Sequence, residues 1–199
     1  MHLSASAIVV ASRSHGETAA IARVLTEDFG LVAGYVAGGR GRVLRPVLIP
    51  GNRVAAELSA RSDAHLPFLK LELVESRGPW LGEPLAAAAI AWVTTLIAAV
   101  LPERNPYPNV YNALSATLDA ICHAPSARGW LRALVACEAL VLRELGYGGA
   151  PPPEGDLAAL LQLFARQAAP IERYLLADRK GDAMAARAML GACLEKLTP

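Results

Sequence analysis

Residues 34 to 56 read GYVAGGRGRVLRPVLIPGNRVAA, and this run decides how the first half of the chain folds. It carries four arginines, Arg40, Arg42, Arg45 and Arg53, and no acidic residue, in a protein whose formal net charge is only +1. Gly38, Gly39 and Gly41 allow positive φ and a close backbone approach, while Pro46 and Pro50 forbid a long helix. The run is therefore expected to be a basic loop joining two strands. A guanidinium presents a planar fork of donors matched to phosphate oxygens, and several on one loop suit a polyanion better than a small metabolite. Surface loops also carry arginine for no such purpose, so charge alone leaves both readings open.

Working outward from the loop, short apolar runs bounded by turn residues appear on both sides. Residues 5 to 12 read as a first strand that stops at Arg13, before the turn formers Ser14, His15 and Gly16. Residues 18 to 26 fit a helical face through Ile21, Val24 and Leu25, but the turn Glu27-Asp28-Phe29-Gly30 that follows favours a strand. Residues 31 to 36 form its partner and include Tyr35. Beyond the loop, residues 52 to 59 and 69 to 74 alternate apolar with polar or small side chains, as half-buried strands do, with a turn at residues 61 to 65. Five short strands at regular spacing predict a small closed barrel of the OB type; a sandwich fits the same pattern.

Residues 78 to 82, Gly-Pro-Trp-Leu-Gly, end the β region, and the apolar period then changes from two to about 3.6. The reading is of two domains, an OB-fold over residues 1 to 79 and an all-α domain over residues 80 to 199. Helices are expected at 84 to 101, 108 to 123, 127 to 146, 154 to 168, 170 to 179 and 181 to 197, delimited by prolines and by Gly146, Gly148 and Gly149. Ser126, Asp156 and Asp182 are the expected N-caps. Residues 84 to 102 contain no charge, yet they are rich in alanine and flanked by Glu83 and Glu103. A helix buried in a soluble bundle is preferred to a membrane anchor.

The chain is 54% hydrophobic, so core material is ample, and the small net charge confines any polyanion-binding face to one locality. Cys122, Cys137 and Cys193 are far apart and odd in number, which points to buried thiols in a reducing cytoplasm, with neither disulfides nor a zinc site. His2, His15, His65 and His123 are dispersed and read as surface residues. No Walker loop, dinucleotide fingerprint, nucleophile elbow or zinc helix occurs. The GGRGR run lacks the lysine and Ser/Thr of a P-loop. These features argue against an enzyme and against any cofactor.

Several segments together resemble the bacterial RecO family: SRSHGET at 12 to 18, VLTEDFGL at 24 to 31, GGR at 38 to 40, LRPVLIPGN at 44 to 52, LPERNPYP at 101 to 108 and LRELGYG at 142 to 148. Their order and spacing match the family to about residue 148. The resemblance implies an N-terminal OB-fold and a helical domain in a non-enzymatic recombination mediator that binds single- and double-stranded DNA and anneals complementary strands. It also implies work with RecR to load RecA onto strands covered by single-stranded DNA-binding protein (SSB), whose acidic C-terminal tail the family contacts. Independently of the family, Arg13, Arg40, Arg42, Arg45 and Arg53 are the expected phosphate contacts; of the aromatics in this half, Tyr35, Phe29 and Phe68, two are expected in the core and Tyr35, next to the basic loop, is the expected base platform. No membrane is involved.

Three departures from the family limit the transfer. The segment after the Gly-Tyr-Gly, where many members hold zinc with four cysteines, is GGAPPPEGD here, so zinc is expected to be absent. Ala37 stands where a basic residue often precedes the loop glycines. Cys137-Glu138, preceded by Val135-Ala136, replaces Phe-Glu with an arginine ahead of it. Arg132 or Arg143 would then have to supply the charge for the SSB tail.

Overall fold

The structure, a computed structural model, describes residues 2–59, 66–124, 126–149, 151–152, 156–177 and 183–197. Five strands, β1 (His2–His15), β2 (Ala19–Thr26), β3 (Gly30–Val36), β4 (Arg53–Ser59) and β5 (Phe68–Glu75), close into a barrel in the order β1-β2-β3-β5-β4. The expected OB-type barrel is thus present, and a sandwich is excluded. β1 is longer than the eight residues expected because it serves two neighbours: its first half pairs with β4 and its second with β2, with a register shift between Val9 and Ala11. At that bulge Val9 exchanges backbone hydrogen bonds with the end of the arginine loop, to the Asn52 carbonyl at 2.9 Å and from the Gly51 N–H at 2.7 Å. The polar Arg13, Ser14 and His15 stay in the ladder with β2, and the turn falls instead at residues 16 to 18, where Gly16 takes φ +60°. The expected turn at residues 61 to 65 lies outside the described residues.

Alternation along the strands fills the barrel with Ala7, Val9, Ala22, Val24, Val32, Val54, Ala56, Leu58, Leu69 and Leu71. Many are small, as a five-stranded barrel requires. The turn after β2 is closed by Thr26, whose hydroxyl donates to the Gly30 carbonyl at 3.0 Å and accepts from the Phe29 N–H at 3.1 Å. β3 meets β5 through a single parallel pair, Tyr35 with Phe68, so its Gly30 end would be a bare edge. Residues from farther along the chain cover it. The segment Leu101–Pro108 belongs to the barrel unit: Leu31 bridges Glu103, the Arg104 N–H donates to the Leu31 carbonyl at 2.9 Å, and Arg23 pairs with Glu103 at 3.3 Å. A β-carbon on Gly30 would sit 2.0 Å from the Asn105 carbonyl oxygen, which explains a glycine there.

The chain divides into two compact units, Met1–Gly82 with Leu101–Pro108, and Glu83–Val100 with Asn109–Pro199. The second unit is helical, with α1 (Pro84–Val100), α2 (Pro108–His123), α3 (Ala127–Glu144), α4 (Leu157–Pro170) and α5 (Ala183–Glu195) among the described residues. α1 buries Ile90, Trp92, Val93, Leu96 and Ile97 inside this unit, and no described helix is long and apolar enough to cross a membrane. The helix expected at 170 to 179 is not separate: immediately after Pro170 the backbone continues as a π-helical turn, Ile171–Leu176. Asp156 caps α4 by accepting from the Ala159 N–H at 3.0 Å, whereas Ser126 precedes α3 without a side-chain cap bond. Asp182 lies outside the described residues.

Candidate nucleic-acid interface

The arginine loop is a folded cap on the barrel. Between β3 and β4 it winds through turns: the Arg45 N–H donates to the Gly41 carbonyl at 2.9 Å and the Leu48 N–H to Leu44 at 3.2 Å. Val47 and Leu48 enter the barrel core, a burial that contributes about 1.5–3 kcal/mol for each side chain. Of the three glycines expected to take positive φ, only Gly38 does, at +68°. Gly39 is needed for space, because a β-carbon there would lie 2.7 Å from the Ala20 β-carbon and 3.1 Å from Leu48. Asn52 fixes the far end. Fully buried, its amide donates to the Pro46 and Val47 carbonyls at 2.8 and 3.1 Å, and its oxygen accepts from the Arg77 N–H at 2.7 Å.

With Val47 and Leu48 inward, the arginines turn outward. Arg40 is held at both ends, its N–H on the Thr18 carbonyl at 3.0 Å and its Nη1 on the Gly16 carbonyl at 2.9 Å, so the guanidinium rests on the β1–β2 turn. This places it beside Arg13 of β1 and Arg45 of the loop. Together with Ser12, Ser14 and Gly39 the three arginines line one polar groove of about 350 Å³ on the barrel surface. All three are exposed, and three guanidiniums around hydroxyls can grip phosphate oxygens through many charge-assisted donors.

The other sequence-derived residues fall elsewhere. Arg42 is exposed on the loop but does not line the groove. Arg53, at the start of β4, pairs with Glu75 across the β4–β5 ladder at 3.7 Å, and Glu75 also takes Arg77 at 2.9 Å. Tyr35 is half-buried on β3, with His15 edge-on to it at 5.8 Å and Phe68 at 5.4 Å. Phe29 packs against the barrel core, but Phe68 is 59% exposed, so of the three candidate aromatics the one presented most openly is Phe68 and not Tyr35, the one the sequence favoured. The place of Phe68 at the even-numbered, outward phase of β5, alongside Lys70, was the available signal. Arg132 and Arg143 are both exposed on α3, about three turns and roughly 16 Å apart, and Arg143 donates to the Gly149 carbonyl at 3.2 Å.

Sequence reasoning also missed the buried centre of the helical unit. Glu138 on α3 is fully buried; it accepts from Trp92 Nε1 at 2.7 Å and takes a two-point ion pair from Arg187 of α5, both contacts at 3.1 Å. The Arg187 guanidinium lies 3.9 Å from the centre of the Phe164 ring. Burial lifts the Glu138 carboxyl above its ordinary value of 4.5, and Arg187 pulls it only partly back. Burial, with the Glu138 charge alongside, pushes the neighbouring Cys137 thiol up to about 12, so Cys137 is an inert packing group. Cys122 is buried too, while Cys193 is half-buried. The signal was present: Leu131, Leu134, Val135, Glu138, Val141 and Leu142 share one helical face, and a carboxylate among them requires a buried partner. No group of three or more metal-ligating side chains occurs among the described residues.

A closed five-stranded barrel with its arginine-bearing cap, followed by helices, defines an OB-fold protein with an appended helical domain. The family comparison is specific. The model described as "Recombination protein O N terminal" matches residues 1–77 and "Recombination protein O C terminal" matches residues 81–149, so the chain belongs to the RecO family. Similar proteins include one named "DNA repair protein RecO" from Rhodospirillum centenum, 43% identical over 143 residues, which are 71% of this chain and 56% of the relative. Others of that name are from Ruegeria sp., 42% identical over 71% of this chain and 58% of the relative, and from Phenylobacterium zucineum, 38% identical over 74% and 60%. The chain thus matches somewhat more than half the length of these relatives.

Proposed function

We propose that this chain is a non-enzymatic mediator of DNA repair and homologous recombination. In this reading the barrel binds single- and double-stranded DNA through its arginines, and the screened backbones of two complementary strands can anneal. With RecR, the protein helps to load RecA onto SSB-coated single strands. The helical unit contacts the SSB tail, with Arg132 or Arg143 as the carboxylate partner. The observation that supports the reading is the gathering of Arg13, Arg40 and Arg45 around one groove in a RecO-family barrel. Annealing and mediation need no bond-breaking chemistry, only positioned charge, and backbone contacts carry no sequence preference.

The decisive experiment replaces Arg40, Arg42 and Arg45 together with alanine in the full chain. These side chains are exposed, so folding is retained while affinity for a fluorescent oligonucleotide falls by a factor of ten or more, on the order of 1.4 kcal/mol for each tenfold. Unchanged affinity overturns the assignment. The partner contact is checked separately by titrating the full chain with a labelled acidic SSB-tail peptide. Loss of binding in Arg132→Ala or Arg143→Ala identifies the partner, and undiminished binding in both removes these residues from the reading.

The α4 and α5 helices lie beyond the matched C-terminal region, which favours keeping a narrower second reading: an OB-fold nucleic-acid-binding and interaction protein without a mediator role. RecA loading onto SSB-covered strands, measured with and without RecR, separates the two. DNA binding without stimulated loading selects the narrower one.

A further inference from the structure

Where Leu44 of the arginine cap meets β3, β4 and β5, the barrel carries a second depression that the phosphate-binding reading does not use. It has a volume of about 270 Å³ and is lined by Tyr35, Leu44 and Phe68, with Leu69 and Leu71 beneath and the Glu57–Lys70 ion pair at its rim. The rings of Tyr35 and Phe68 stand at 80° to each other with centroids 5.4 Å apart, so they form a corner, one ring making a wall and the other a floor. Phe68 gains little from folding in this position, being 59% exposed. The cavity is smaller than those that hold drug-sized ligands and suits a single flat ring system.

The ladder register joins this corner to the arginine groove. Arg13 pairs with Ile21, Ile21 with Tyr35, Tyr35 with Phe68 and Phe68 with Ser59, so one outward-facing line runs across β1, β2, β3, β5 and β4. From Arg13 to Phe68 it crosses three strand spacings, about 14 Å, a short length of extended nucleic-acid strand. The cap itself contributes Arg40 and Arg45 to the groove and Leu44 to the corner. At the rim, the Glu57 carboxylate accepts from N–H groups and the Lys70 ammonium donates to carbonyls or ring nitrogens, 3.2 Å apart. A nucleobase shows that mixture of donors and acceptors along its pairing edge, which is open only when the base is unpaired.

We propose that this corner receives one unpaired base of a single strand whose phosphates lie in the arginine groove. The inference rests on the reading that the barrel binds DNA, and it makes the interface selective for single strands. A duplex can meet the arginines but cannot deliver a base to Tyr35 and Phe68 without opening.

The test is a fluorescence-anisotropy titration of the full chain with a labelled single-stranded oligonucleotide and with the matched duplex. Phe68→Ala and the double variant Tyr35→Ala/Phe68→Ala are compared with the unmodified protein and with Arg40→Ala/Arg45→Ala. Phe68→Ala is expected to lower the ratio of single-strand to duplex affinity by about 5- to 150-fold, the loss of one stacked base. Phe68→Trp should restore the ratio and show quenched indole fluorescence on binding. A ratio within twofold of the unmodified protein in both Phe68→Ala and Tyr35→Ala/Phe68→Ala overturns the pocket, as does an equal loss on both ligands. If the arginine variant weakens both ligands while the aromatic variants change neither, only the pocket falls. If the arginine variant changes nothing, the DNA-binding reading falls with it.

Discussion

Glu138 shows what a single buried charge demands. Its carboxylate has Trp92 and Arg187 as partners in a fully enclosed site, and removing one partner leaves the other charge stranded. Arg187→Met should therefore cost about 3–5 kcal/mol, while Glu138→Gln/Arg187→Met should recover most of that. The pH dependence follows from the raised Glu138 carboxyl. Because the folded protein holds that proton more tightly than the unfolded chain, stability from this group is full below the ordinary carboxylate range and is lost as pH rises through the folded value. Without Arg187 the rise is larger, so the deficit of the single variant should shrink on acidification, and that of the double variant should not. Chemical denaturation at about pH 5 and about pH 8 measures both. The need for a partner was legible in the sequence, since Glu138 interrupts an apolar helical face. Its identity was not, because Arg187 lies 49 residues away and only packing brings it there.

At the scale of elements, the cap between β3 and β4 acts as a plug and a display at once. Its basic character and its position between strands could be read from composition and punctuation. What could not be read was that Val47 and Leu48 seal the barrel end, since the three apolar residues between Pro46 and Pro50 are too short a run to carry a periodicity. Arg53 was grouped with the other arginines by sequence proximity, but strand pairing carries it to Glu75. The tight contact of Gly39 with Ala20 gives a direct test of the coupling between plug and display. Gly39→Val should push the cap off β2, costing about 1–3 kcal/mol by overpacking and displacing Arg40 from the Gly16 and Thr18 carbonyls. Thermal denaturation reads the first effect, and a loss of oligonucleotide affinity without any arginine being changed reads the second.

For the whole molecule, the change from strands to helices was visible as a change of apolar period near residues 78 to 82. The path of the chain between them was not. Prolines at 102, 106 and 108 announce a break between helices, and nothing in their spacing says that the break is spent covering β3. The small net charge has a consequence at this scale for the proposed function: long-range attraction to DNA would be weak, so local contacts would carry the affinity. About four arginine–phosphate contacts predict a slope of log affinity against log salt of roughly −3 for single strands and −4 for duplex. Titrations at two salt concentrations measure it, and a slope near zero would contradict an electrostatic grip.

The return of residues 101 to 108 to the barrel has a bearing on how the protein is made. During vectorial synthesis β5 leaves the ribosome about thirty residues before Pro108, a lag of about 2–7 s at typical elongation rates of 5–20 residues per second. For that interval the Gly30 end of β3 is an open seam on a nascent chain, and the helix that must be translated before the seam can close is the alanine-rich, uncharged α1.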